Sequence, residues 1–223
     1  EATSPTYDPP TGLTNTTYYR RVTTSTLNGV ACTANSNCIT LTIAPIPTIT
    51  CPTNTSTVAC QTQSAVNTAF STWLATASGS GGIGGVLTNN NTGAPLACGG
   101  ATTITFTYTN SCEPTISTCQ ATFTVAAPAA VVLTCPVNTS TAGGQTQAAV
   151  NAAFATWLAT ASGTGGCSAL LTNNNTGAPV AGGGTTTVTF TYTSTCAPLA
   201  TTCQATFTVL PPISLTCPVN TTA

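Results

Sequence analysis

The chain has no histidine, no lysine and no methionine, and only five charged residues in 223: Glu1, Asp8, Arg20, Arg21 and Glu113. This scarcity excludes whole classes of function. General acid–base catalysis needs a titratable group held against its partner. Between residues 45 and 212 the only carboxylate is Glu113, and the residue matching it in the second copy of the repeat described below is Ala197. Without His or Lys, no Ser or Cys nucleophile has a conventional base. Calcium sites need clustered acidic side chains, which Asp8 alone cannot build. A formal charge of -1 leaves no electrostatic footprint for nucleic acid or an anionic membrane. No apolar run approaches the length of about 20 residues that a membrane span needs. Structural zinc calls for close Cys pairs or His, and CxxC is absent. The expectation is a non-enzymatic chain with no cofactor, no metal, no nucleic-acid partner and no membrane span.

About a quarter of the residues are Thr, and 12 are Cys. The chain also repeats itself. Cys51-Pro-Thr-Asn-Thr-Ser-Thr returns as Cys135-Pro-Val-Asn-Thr-Ser-Thr, and 53 of the 75 positions from Cys51 to Val125 are identical in the second copy, Cys135 to Val209. Self-similarity of this kind marks a tandem array. The reading is four parts: residues 1–44, the C-terminal half of an Ig-like domain; 45–128, repeat 1; 129–212, repeat 2; and 213–223, the first strand of a further repeat. A half-domain at one end and an orphan strand at the other expose unpaired edges. The chain, which starts at Glu, therefore reads as a piece of a longer array. The alternative is a subunit whose end strands complete a neighbour by strand addition.

Within a repeat, Thr103-Ile-Thr-Phe-Thr-Tyr-Thr and Gln120-Ala-Thr-Phe-Thr-Val alternate apolar and hydroxyl residues, the period of a half-buried strand. Thr on the open face combines β-propensity with solubility that needs no charge. Val66, Phe70, Trp73 and Leu74 instead follow the stripe of an amphipathic helix, with Thr62 as its N-cap. Repeat 2 has the same stripe in Val150, Phe154, Trp157 and Leu158. The expected fold is mainly β: tandem sandwiches, each with one inserted helix, in the order strand, helix, Gly loop, strand, strand, hairpin turn, strand. The linkers Ala126-Ala-Pro128 and Leu210-Pro-Pro212 stiffen the junctions.

Disulfides at this density indicate an oxidising compartment. Cys60 and Cys98 become Gly144 and Gly182 in repeat 2, and their joint loss predicts a Cys60–Cys98 bond worth up to about 4 kcal/mol in the chain-entropy model. Reduction is then expected to soften repeat 1 more than repeat 2. Cys112 with Cys119, and Cys196 with Cys203, are expected to staple the hairpin turn, with Cys32–Cys38 their equivalent near the N-terminus. Cys135 is expected to pair with Cys167; because Ile83 stands where repeat 2 has Cys167, Cys51 is expected to be left over, as is Cys217.

Asn89-Asn-Asn-Thr-Gly93 and its copy at Asn173 read as tight turns, with Asn90 and Asn174 as candidate glycan contacts or glycosylation acceptors. Trp73 and Trp157 lie on the helical stripe and are assigned to the core rather than to glycan stacking. Arg20 and Arg21 alternate on a strand and read as a solvated face.

Four motifs taken together resemble the cysteine-bearing HYR-like repeats of very large Bacteroidetes surface proteins. They are the Cys-Pro-x-Asn opening, the helix end Phe-x-x-Trp-Leu-Ala-Thr-Ala-Ser, Leu-Thr-Asn-Asn-Asn-Thr-Gly-Ala-Pro, and the close Cys-Gln-Ala-Thr-Phe-Thr-Val. The Thr-Thr-Tyr-Tyr-Arg-Arg-Val segment is similar to the Ig-like modules that accompany them. The resemblance implies type IX secretion and a cell-surface adhesin, in some members tied to gliding. The expected role is an extracellular stalk or fibre segment. Its expected partners are neighbouring repeats, identical chains or surface glycans. The alternatives are a self-assembling filament and a glycan-binding module.

Overall fold

The computed structural model describes residues 6–111 and 116–217, so the expectations for Cys112 and Glu113 fall outside the described residues. The N-terminal part holds β1 (Thr17–Tyr19), β2 (Val22–Leu27), β3 (Val30–Asn35) and β4 (Ile39–Leu41). β1 pairs antiparallel with β4, and β2 with β3. The β2–β3 hairpin closes over Asn28 and Gly29, both at positive φ (51° and 82°), as a two-residue turn between right-twisted strands requires. Every residue of β2, β3 and β4 is exposed.

Repeat 1 contains β5 (Thr48–Thr50), β6 (Thr55–Thr57), α1 (Gln63–Leu74), β7 (Ser78–Ser80), β8 (Val86–Asn89), β9 (Gly100–Thr109) and β10 (Ser117–Val125). Repeat 2 follows the same order: β11 (Val132–Thr134), β12 (Thr139–Thr141), α2 (Gln147–Leu158), β13 (Ser162–Thr164), β14 (Leu170–Asn173), β15 (Gly184–Thr193) and β16 (Ala200–Val209). The sheets are ordered β6-β10-β9-β8 and β12-β16-β15-β14, with two-stranded ribbons β5–β7 and β11–β13. The first strand of each four-stranded sheet is parallel to the last: Thr55–Thr57 beside Phe123–Val125, and Thr139–Thr141 beside Phe207–Val209. The chain is thus mainly β, stapled by disulfides, with one helix inserted in each repeat, in keeping with its alternation and helical stripe. The three-residue strands β6 and β7 were not expected, because they are too short for any period to show.

The alternation of β15 and β16 sorts their side chains onto two faces. Val188, Phe190, Ala205, Phe207 and Val209 point inward and form one core with Val150, Phe154 and Trp157 of α2. Phe154 and Phe207 meet edge to face at 5.3 Å, a favoured aromatic geometry. The ribbon completes this layer: at Gly163 a side chain would collide with the ring of Tyr192, so only glycine fits. The opposite layer is therefore helix plus ribbon. On the outer face Thr185 stands across from Thr208, Thr187 from Thr206 and Thr191 from Thr202. The first pair shares a 3.0 Å hydrogen bond, and Gln204 Nε2 donates to Thr189 Oγ1 at 3.0 Å.

Each helix starts where a threonine caps it. Thr146 has extended backbone (φ -71°, ψ 151°), and its hydroxyl accepts from Ala149 N, as Thr62 does from Ala65 N. Leu74 and Leu158 are half-buried at the edge of the helical stripe rather than within the core.

The described chain forms two compact units that do not follow the repeat boundaries. Among the described residues, one contains 6–52, 75–91, 104–111 and 116–120; the other contains 53–74, 92–103 and 121–217.

Candidate functional site

Among the described residues, four disulfides join Cys51 to Cys119, Cys135 to Cys203, Cys60 to Cys167 and Cys98 to Cys196. They are of two kinds. The first two are the same bond in each repeat, with a sequence separation of 68 and Cα atoms 6.0 and 6.1 Å apart. Each ties the Cys-Pro that precedes the first strand of the sheet to the last strand. The other two run from repeat 1 to repeat 2, with separations of 107 and 98 and Cα–Cα distances of 5.1 and 5.3 Å. In the chain-entropy model loops of these lengths are each worth about 4 to 5 kcal/mol, though overlapping loops do not add.

The two bonds between repeats leave one end of repeat 1. Cys60 lies in the turn before α1 at φ 64°, a left-handed position that disfavours a side chain. Its counterpart Gly144 has φ 79°. The turn is thus shared by both repeats, and cysteine accepts the backbone cost only where it has a partner. Cys98 lies in the loop before β9. Gln63 at the start of α1 fastens this loop, donating to Pro95 O at 3.0 Å and accepting from Ala97 N at 2.9 Å. The sulfurs approach carbonyls of repeat 2, Cys60 Sγ at 3.6 Å from Gly166 O and Cys98 Sγ at 3.7 Å from Thr195 O.

The receiving cysteines are buried, Cys167 and Cys196 being 3% and 4% exposed. Ser194 holds them in place. Its Oγ accepts from Cys167 N at 3.0 Å and from Cys196 N at 3.2 Å, and Thr195 donates through both N and Oγ1 to Cys167 O.

None of the five pairings expected from the sequence is formed, Cys112–Cys119 included, because Cys119 is bonded to Cys51. Cys60 and Cys98 are not bonded to each other: they share an end of the repeat and the same neighbour, so their joint loss marks a shared surface. Cys196 does not pair with Cys203. Cys203 stands opposite Phe190, and about 10 Å of strand separates it from the turn that holds Cys196. Cys135 takes Cys203 rather than Cys167, because parallel pairing brings the β12 end of the chain beside β16. Cys119 pairs with Cys51, which is not left over. Cys32 and Cys38 are free and exposed, one within β3 opposite Ser25 and the other leading into β4, which belongs to a different ribbon. Cys217 is free and exposed. The expected difference on reduction goes with the Cys60–Cys98 bond, since both repeats carry the same internal disulfide. A usable signal was present: Cys51 and Cys119 recur together as Cys135 and Cys203, whereas Cys60 and Cys167 each occur in one copy only.

The other candidate residues have structural partners. Trp73 and Trp157 are each 6% exposed, and their Nε1 atoms donate to Thr53 O and Val137 O at 2.8 Å. Asn90 and Asn174 are exposed, but each Oδ1 accepts a backbone N–H, from Thr105 and Thr189, at 2.8 Å. Among the described residues no group of three or more His, Cys, Asp or Glu is placed to hold a metal ion, and no helix is long and apolar enough to cross a membrane. Arg20, Arg21 and Asp8 are exposed. The four disulfides fit a protein that matures outside the reducing cytoplasm.

Residues 1–45 match the family model of a domain of unknown function, DUF8696. No curated protein matches the chain.

Proposed function

We propose that the chain is a non-enzymatic segment of a large extracellular, cell-surface adhesin, in which tandem repeats act as a stalk or fibre. The observation that carries this reading is the pair of disulfides between successive repeats, Cys60–Cys167 and Cys98–Cys196. Modules joined by a short linker move relative to one another by default. Two covalent ties at one junction remove that freedom. A fixed junction of this kind suits a projecting stalk. The near-absence of charge and the hydroxyl-covered sheets agree with this role. The proposed partners are neighbouring repeats of the same polypeptide, and export through the type IX route is part of the same reading.

A second reading, a filament of separate subunits, is favoured by the N-terminal part. Tyr18, Val22, Leu27, Val30 and Ile39 are more than half exposed there, so its ribbons are open to strand addition. Native material from cells that make the protein distinguishes the two. On a reducing, denaturing gel with peptide mass confirmation, the stalk reading expects a band many times 22.1 kDa. Antibody against the repeats should also label intact cells. A band near 22.1 kDa would replace the stalk with the filament. Labelling only after permeabilisation would overturn both readings.

A further inference from the structure

We propose that the repeats are tension-bearing elements in which pull along the chain runs through a covalent path that bypasses most of each fold, so that the segment resists lengthening under load. The proposal deepens the stalk reading and rests on it for its biological meaning. Its geometry stands independently.

The path follows from where the internal disulfides sit. Tension entering repeat 1 reaches Cys51, crosses to Cys119 and continues along β10 to the linker. It then runs through β11 to Cys135, crosses to Cys203 and leaves along β16. The helix, the ribbon turn, β8, β9 and their counterparts in repeat 2 all hang off this path. The regular elements that carry the load, β5, β10, β11 and β16, are already extended strands. A separation of 68 residues in each pair hides a contour of about 240 Å per repeat from the pull.

The hydrogen bonds beside the disulfides are arranged for the same load. The first and last strands of the sheet run parallel, so pulling the two ends of a repeat apart shears their bonds together instead of opening them one by one. Side chains and linkers extend both ladders. In repeat 1, Asn54 Oδ1 accepts from Thr122 N at 2.9 Å at one end, and Ala126 N donates to Thr57 O at 2.9 Å at the other. In repeat 2, Asn138 Oδ1 accepts from Thr206 N and Leu210 N donates to Thr141 O, both at 2.9 Å. The disulfides between repeats add a fallback, because without Cys51–Cys119 the shortest covalent route passes through Cys60–Cys167.

The test is single-molecule stretching of the full chain held by its two ends. Oxidised protein should show no lengthening step of about 240 Å, and reductant should add two such steps, one per repeat. The double substitution Cys51→Ser/Cys119→Ser, stretched oxidised, should gain only about 90 Å, because Cys60–Cys167 becomes the shortcut. Asn54→Ala with Asn138→Ala should lower the force at which the reduced repeats open. Oxidised chains that lengthen by the full contour of a repeat, about 240 Å per step, would overturn the covalent path. A gain of that full contour in the double variant would overturn the fallback, and an unchanged opening force would overturn the role of the parallel strands. None of these outcomes depends on chain length in the native source, which tests the stalk reading separately.

Discussion

Ser194 Oγ lies 3.0 Å from the amide nitrogen of Cys167 and accepts its hydrogen bond across a sequence separation of 27. The same oxygen accepts from Cys196 N, so one buried hydroxyl positions both cysteines that receive the bridges from repeat 1. Ser194→Ala leaves two amides without that acceptor in a site with little water access. An unmade hydrogen bond of this kind costs about 1 to 3 kcal/mol. Chemical denaturation of the oxidised variant should show a loss in that range, and a change below about 0.5 kcal/mol would contradict the positioning role.

Digestion of oxidised protein with free thiols blocked should release peptide pairs joining residue 51 to 119, 135 to 203, 60 to 167 and 98 to 196. A peptide joining residue 60 to 98 would disprove the junction between the repeats. Blocking agent should appear on Cys32, Cys38 and Cys217, which are exposed and free.

Trp157 packs against Phe154 at 5.4 Å and Phe207 at 5.6 Å while donating to Val137 O. Trp157→Ala should cost about 3 to 5 kcal/mol by cavity formation. Trp157→Phe keeps most of the apolar volume and loses one hydrogen bond, so it should cost about 1 kcal/mol beyond any repacking. Equal losses in the two variants would show that the ring's bulk is not what matters.

Two glycines should respond in opposite ways to alanine. At Gly163 the added carbon runs into the Tyr192 ring, and overpacking of this kind costs about 1 to 3 kcal/mol. At Gly182 nothing lies within 4 Å and φ is not positive. Gly182→Ala should therefore be neutral or stabilise by about 0.4 to 1 kcal/mol through the unfolded chain. Thermal unfolding of the two single variants is sufficient to compare them.

Much of the fold was legible in the chain itself because its signals are local. Period-two Thr alternation marked β9, β10, β15 and β16, and the Val66–Phe70–Trp73 stripe with Thr62 before it marked a capped helix facing a core. The comparison of copies located the repeats and showed which cysteines come and go together. Composition alone argued against acid–base chemistry, since a chain with no His or Lys has few groups to perform it.

The surface that each cysteine faces, by contrast, was settled by contacts between distant parts of the chain. The joint loss of Cys60 and Cys98 is as compatible with a shared neighbour as with a mutual bond, and comparing the two copies cannot tell these apart. Disulfide formation requires Cα atoms within about 7 Å, and that proximity is set by non-local pairing: β12 lies parallel to β16, and the Ser194 turn meets the Cys60 and Cys98 loops of the preceding repeat. Three-residue strands such as β6 and β12 carry too little pattern to announce that pairing. They nevertheless bring Cys51 to Cys119 and Cys135 to Cys203, and so set the covalent route along the chain.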